Sequence, residues 1–208
     1  MAGFPSGCDW GSIIAAMATG VLVLVVGPSG AGKDTLLDAA RLRLTDGAQF
    51  RFVRRVITRP AEAGGEAHEA VTEAEFAARQ FALSWHAHGL WYGIPADIAG
   101  DIAAGRIVVA NVSRSVIAQA SRQFPVHVIE VSAPPALLAQ RLAYRRRENA
   151  AAIGARLTRV APVPDWVATE RVLNDSTPVA GATRFLAALI RAAAAGQRSG
   201  TVLLEPPD

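Results

Sequence analysis

A doubly wound α/β domain is the fold class this sequence predicts, and three observations predict it. Uniformly apolar runs of strand length recur along the chain. Each is followed by a stretch with helical spacing. The first run leads straight into a glycine-rich loop that opens a helix.

The first run, "VLVLVV" at 21–26, is β-branched and leucine-rich with no polar alternation, as expected of a parallel strand covered on both faces. "GPSGAGKD" at 27–34 follows it, and then "TLLDAARLRL" at 35–44, where Leu36, Leu37, Ala40 and Leu44 fall near helical spacing. Two more strands of the buried type are "RIVVANV" at 106–112 and "VHVIEVS" at 126–132. After the latter, "APPALLAQRL" places Pro134 and Pro135 where a first helical turn accepts proline. A last strand, "ERVLND", and a helix, "VAGATRFLAALIRAAAA", close the domain.

The region from about 50 to 100 has a different texture and reads as an inserted lobe. It holds "RFVRRVITRP", a helix candidate "EAEFAARQF", and "ALSWHAHGLWYGI", whose alternation about His88-Gly89 predicts a hairpin. "YRRRENAAAIGARL" at 144–157, with its arginine cluster, marks a second insertion. Residues 1–20 are read as an extension, 21–196 as one domain with its core at 21–49 and 101–196, and 197–208 as a tail.

Composition narrows the function classes. At 208 residues and 51% hydrophobic content, the chain is long enough for a sizeable core. Its one cysteine, Cys8, excludes an intrachain disulfide framework or a cysteine zinc site and fits a reducing compartment, so the expected location is cytoplasmic. No run looks membrane-spanning, because Arg184 and Arg191 interrupt the alanine-rich C-terminal segment. A net charge of +3 is too mild for a dedicated nucleic-acid binder. The expected partners are therefore small molecules, with neither nucleic acid nor membrane, and a homodimer stays open. Of 21 basic residues 20 are arginine, and the one lysine is Lys33. Retaining a compact ammonium only there suggests that the position requires it.

The spacing G-x-x-x-x-G-K at Gly27, Gly32 and Lys33 is that of a phosphate-binding loop. Glycines let the backbone curl until successive N–H groups point at one anion, and the following helix adds its positive dipole end. A nucleoside triphosphate is the expected ligand. Asp34 stands where such loops present a serine or threonine hydroxyl to Mg²⁺; its carboxylate is expected to contact the ion, directly or through water. A plain helix-start role is the competing reading. His86 and His88 lack a third ligand at metal spacing, and no G-x-S-x-G elbow suggests a serine hydrolase. A kinase whose acceptor is already a phosphate needs no general base, only positive charge to bring two anions together. The chain offers Arg59, Arg145, Arg146, Arg147 and Arg156 for that.

Assembled, "GPSGAGK", "ITRP", "EAEF", "LSWHAHGLWYG", "RRREN", "ARL" and "LND" span about 20–192 and resemble the guanylate kinase branch of P-loop kinases. Within that branch, "GKD", the tryptophan-histidine hairpin and "RxREN" are most similar to the ribose 1,5-bisphosphate phosphokinases of phosphonate breakdown. The resemblance implies a three-layer P-loop kinase fold with a parallel core sheet, an acceptor lobe at about 50–100 and a small lid at about 144–157. It implies that Gly27, Pro28, Ser29, Gly30, Ala31, Gly32, Lys33, Asp34 and Thr35 bind ATP with Mg²⁺, with Asn174 near the adenine. Arg59 and Tyr92 would hold the acceptor phosphate, and Arg141, Arg145, Arg147 and Arg156 would supply charge from the lid side. Where guanylate kinases carry an aspartate-tyrosine pair this chain reads Ala67-His68, and where they carry an aspartate it has Asn111. Guanine recognition is thereby weakened. His68, Ser84, Trp85, His86, Asn111 and Arg114 form a polar set better matched to a sugar phosphate. The expected reaction is ATP-dependent conversion of ribose 1,5-bisphosphate to 5-phosphoribosyl 1-diphosphate. A nucleoside monophosphate kinase and a catalytically silent binding module remain as alternatives.

Overall fold

Val21–Val26 (β1) is buried along its whole length, and its alternate side chains feed two separate apolar clusters. The computed structural model describes residues 20–44, 49–61, 67–144 and 162–198. β1 lies at the centre of a five-stranded sheet with Phe50–Phe52 (β2), Ile107–Asn111 (β7), Val126–Ser132 (β8) and Thr169–Leu173 (β9), in the order β2-β7-β1-β8-β9. Every pair in it is parallel.

One face of this sheet is covered by Lys33–Arg43 (α1) and the long Pro178–Arg198 (α6). Val21, Val23 and Val25 there meet Leu36, Leu37 and Ala40 of α1 and Phe185, Ala188 and Leu189 of α6. Pro135–Tyr144 (α5) adds Leu138 to the same cluster. On the other face Leu22, Leu24 and Val26 meet Ile98 and Ile102 of Ile98–Ala103 (α3) and Ile117 and Ala120 of Ile117–Ser121 (α4). This is the predicted doubly wound, three-layer α/β arrangement. By length and mean hydropathy, 1.3 over Pro178–Gly196, α6 would suffice to cross a membrane. It serves instead as a core helix, tied to β9 by Arg191 on Glu170 (2.6 Å) and by Arg184 on the Leu173 carbonyl (2.6 Å).

A second, four-stranded sheet forms the lobe: Val56–Ile57 (β3), Glu69–Ala70 (β4), Phe81–Ala87 (β5) and Leu90–Pro95 (β6), in the order β4-β3-β6-β5. The predicted hairpin is β5–β6. Its two-residue turn has φ of 55° at His88 and 71° at Gly89, the positive pair that a type I′ turn demands. Glu73–Ala77 (α2) opens on a capping box in which the Thr72 hydroxyl accepts from the Glu75 N–H and the Glu75 carboxylate accepts from the Thr72 N–H. Phe76 of α2 stacks on Phe81 at 4.3 Å.

The lobe boundary drawn at residue 50 needs correcting, because β2 belongs to the core sheet and pairs with β7. As an edge strand, half-buried throughout, β2 lacks the continuous apolar run that marked the inner strands.

His127, on β8, is 8% exposed, and its Nε2 has no hydrogen-bond partner among the described residues. Burial holds its pKa below the usual 6.5, with Glu170 opposing part of that effect. Below about pH 6.5 the unfolded chain takes up a proton that the folded chain refuses, so stability falls as pH drops. Thermal unfolding followed between pH 7.5 and 5.5 should show this loss, and His127→Leu should flatten it. An equal slope in the variant would assign the loss to other groups.

Candidate active site

The loop 27–33 leaves the end of β1 at the carboxyl edge of the sheet, where doubly wound folds bind ligands. Gly27 has φ 150°, and a Cβ there would collide with the Val131 carbonyl oxygen of neighbouring β8. Gly32 caps α1 in the left-handed conformation, φ 87°, with no side-chain cap. The first-turn N–H groups of an uncapped helix are ready donors to an anion. The Lys33 ammonium lies back along the loop, donating to the carbonyls of Gly27 (2.7 Å) and Pro28 (3.0 Å). Pro28 and Ser29 are half-buried in the turn, Gly30 and Ala31 are buried, and Thr35 is exposed on the first turn of α1.

Two side chains from distant elements shape this loop. Asn174, just beyond β9, is buried and donates to the Ala31 carbonyl at 2.8 Å. Gly181 of α6 makes room for it, since a Cβ there would meet the Asn174 amide oxygen. Asn174, expected near adenine, therefore braces the loop from behind in this structure. Arg141, in the last turn of α5, reaches the Gly30 carbonyl at 3.4 Å, which sets its guanidinium against the loop.

Asp34 and Asn111, 77 positions apart, are brought together: the Asn111 amide donates to Asp34 Oδ1 at 3.0 Å. Asn111, 6% exposed at the end of β7, thus meets the phosphate-loop carboxylate. This contact orients Asp34 while engaging one of its two oxygens. Among the described residues no group of three or more His, Cys, Asp or Glu side chains is placed to share a metal ion. One carboxylate, free at its second oxygen from the Asn111 bond, is a donor that would fit Mg²⁺ beside a bound phosphate.

In the lobe, register sorts the expected acceptor residues onto two faces. Directly opposed residues share a face, so Ile57, Tyr92 and Trp85 point one way. Trp85 and Tyr92 stack at 5.3 Å with 5° between planes and pack into the apolar cluster that includes Val112 and Val116, just past β7. Ser84 and His86, next to Trp85 on β5, point the other way. Both are exposed, and His86 leans on Trp91 at 5.0 Å. The structure thus separates Ser84 and His86 from Trp85, and period-two alternation is the physical reason.

Arg59 and His68 lock together. The Arg59 guanidinium approaches His68 Nδ1 at 3.1 Å, and His68 Nε2 lies 3.0 Å from the Arg59 carbonyl oxygen. Arginine has no acceptor, so Nδ1 accepts and Nε2–H donates, which fixes the neutral tautomer. Arg59 Nε is buried with no hydrogen-bond partner among the described residues. An anion oxygen would satisfy it. Arg114 is bonded to Glu130 at 2.9 Å, and Arg171 approaches the same carboxylate at 3.2 Å. Burial pushes the Glu130 carboxyl up, but the two arginines more than offset this and hold it below the usual range. Arg114 is therefore tied to β8 through its ion pair with Glu130. Glu130 was missed in the sequence because it sits inside an apolar strand with nothing local to mark it. Arg145, Arg147 and Arg156 lie outside the described residues.

No family model matches the chain. Its fold is similar to that of guanylate kinase from Anaplasma phagocytophilum, with TM-score 0.58 and 16% identity over 88% of this chain and 89% of that one. A parallel sheet, a glycine loop closed by one lysine and an inserted lobe at the carboxyl edge define a P-loop kinase of guanylate kinase-like fold.

Sequence similarity narrows the class. Over 173 residues the chain is 58% identical to ribose 1,5-bisphosphate phosphokinase PhnN of Acidiphilium cryptum (strain JF-5), covering 83% of this chain and 94% of that protein. It is 49% identical over 180 residues to a bifunctional ribose 1,5-bisphosphokinase-thymidine phosphorylase of Azorhizobium caulinodans, covering 84% of this chain and 26% of that longer protein. The chain belongs to the ribose 1,5-bisphosphate phosphokinase PhnN family.

Proposed function

We propose that this chain transfers the γ-phosphoryl group of ATP to the 1-phosphate of ribose 1,5-bisphosphate, giving 5-phospho-α-D-ribose 1-diphosphate and ADP. An acceptor phosphate oxygen forms the new bond to γ-phosphorus as the bond to the β,γ-bridging oxygen breaks, and no proton has to be removed. The observation that carries this reading is the pairing of an intact phosphate loop with a lobe face built of arginine and aromatic side chains, in a chain whose relative is named for that reaction.

Each residue then has a task. The loop N–H groups and Lys33 hold the triphosphate, and Asn174 and Arg141 keep the loop in shape. Asp34, oriented by Asn111, is the Mg²⁺ contact. When bound, Mg²⁺ supplies charge neutralisation between the β- and γ-phosphates. Arg59, oriented by His68, binds the acceptor phosphate through its unsatisfied edge, and Tyr92 shares that task. Arg145, Arg147 and Arg156 are assigned to lid-side charge on the strength of the family resemblance. The enzyme is read as cytosolic, serving 5-phosphoribosyl 1-diphosphate supply in phosphonate breakdown, with no nucleic-acid or membrane partner.

A coupled ADP-release assay with ATP and, in turn, ribose 1,5-bisphosphate, GMP and AMP tests the proposal. Ribose 1,5-bisphosphate is expected to be the preferred acceptor. Preferred turnover of GMP would instead make the chain a nucleotide kinase, and no turnover of any acceptor would support a binding module.

A further inference from the structure

We propose that Arg55 is the specificity residue that selects an acceptor with two phosphates, by binding the phosphate at the end of the sugar remote from transfer. The inference rests on the proposed acceptor.

Arg55 shares a face with the acceptor residues. Arg55 directly precedes β3, where alternation puts it on the side of Ile57, and Ile57 pairs with Tyr92, which pairs with Trp85. The Arg55 guanidinium carbon lies 5.3 Å from the Tyr92 ring centroid and 6.0 Å from that of Trp85. Because those two rings are themselves stacked, they give the guanidinium a flat platform that restricts its rotamers before any ligand arrives. Stacking engages the π face of a guanidinium, whereas phosphate is bound by N–H groups in its plane, so the two contacts are compatible.

Position in the fold points the same way. Phe52, the last residue of β2, is level with Val109, and Arg55 lies three residues on, in the segment that leads from the core sheet into β3. Asn111, at the carboxyl end of β7, holds Asp34 of the phosphate loop, and β2, parallel to β7, sends the chain toward the lobe at that same edge. Arg54, one residue before Arg55, turns to the His68 carbonyl at 2.6 Å. Arg55 lies just before β3 and Arg59 two residues after it, in the bend that follows. Two cations at opposite ends of β3, one of them seated on an aromatic pair, suit a ligand that is anionic at both ends with a ring between.

The test compares wild type, Arg55→Met, which keeps length and packing on the rings, and Arg55→Lys, with ribose 1,5-bisphosphate and ribose 1-phosphate as acceptors. For Arg55→Met, kcat/KM with the bisphosphate is expected to fall about 10- to 100-fold, the range for a lost charge-assisted hydrogen bond. The loss should appear mainly in KM, while ribose 1-phosphate loses far less, so the preference between acceptors collapses. Inhibition by ribose 5-phosphate, which carries only the remote phosphate, should weaken by a similar factor. Arg55→Lys should recover part of each, and it carries the comparison if Arg55→Met does not fold. Equal losses with both acceptors, or an unchanged preference and unchanged ribose 5-phosphate inhibition, would overturn the assignment. A wild-type preference for GMP would sink the acceptor reading itself. A bisphosphate preference that Arg55→Met leaves intact would sink only the role of Arg55.

Discussion

Replacing Asp34 by alanine is expected to lower kcat by about 10²- to 10³-fold, the scale set by removing one preorganised transition-state contact. The Mg²⁺ concentration giving half-maximal rate should rise with it. Two neighbours position Asp34: Gly32 starts the helix two residues earlier, and Asn111 engages Oδ1 at 3.0 Å. What folding loses is small by comparison. An acidic residue in a first helical turn contributes about 0.3–1 kcal/mol and one hydrogen bond about 0.5–1.5 kcal/mol net, or a few degrees in Tm at this size. Asp34→Ser should restore part of the rate by returning an oxygen ligand. Asp34→Asn should not, because it keeps the shape and removes the charge. Unchanged kcat and Mg²⁺ dependence in Asp34→Ala would return the residue to a helix-start role.

Lys33→Met should be at least as damaging, with kcat down by about 10³-fold and a smaller effect on the KM for ATP, since the ammonium is needed most as charge shifts between phosphates. Lys33→Arg is the sharper comparison. The chain uses arginine at 20 of its 21 basic positions, so composition alone would tolerate it here. The loop would not, because the ammonium is seated between the carbonyls of Gly27 and Pro28 at 2.7 and 3.0 Å, a site for a compact tetrahedral donor and not a planar fork. Lys33→Arg is therefore expected to stay at least 10²-fold below wild type. A near-normal rate in that variant would mean that the lone lysine is an accident of composition.

Much of the fold was legible because it is written locally. β1 coincides with the run at 21–26, apolar at every position as a strand buried on both faces favours, and β8 with 126–132, where valine and isoleucine carry the same signal around His127 and Glu130. His88-Gly89 announced its hairpin because only a few residue pairs accept positive φ twice in succession. β2 was harder to place. A three-residue, half-buried edge strand carries little pattern, and its membership of the core is decided by its pairing with β7.

The candidate site divides along the same line. By itself the sequence determined the phosphate loop, its lysine and the parallel strand behind it, because consecutive residues form that structure and its chemistry follows from spacing. Tertiary structure alone decided that Asn111 meets Asp34, that Arg114 is bonded to Glu130, and that Asn174 braces the loop. It also parted Ser84 and His86 from Trp85 and set Arg55 on the stacked rings. These relations depend on strand order and register. Those are set by how the whole chain buries its apolar faces, which no short stretch of residues records.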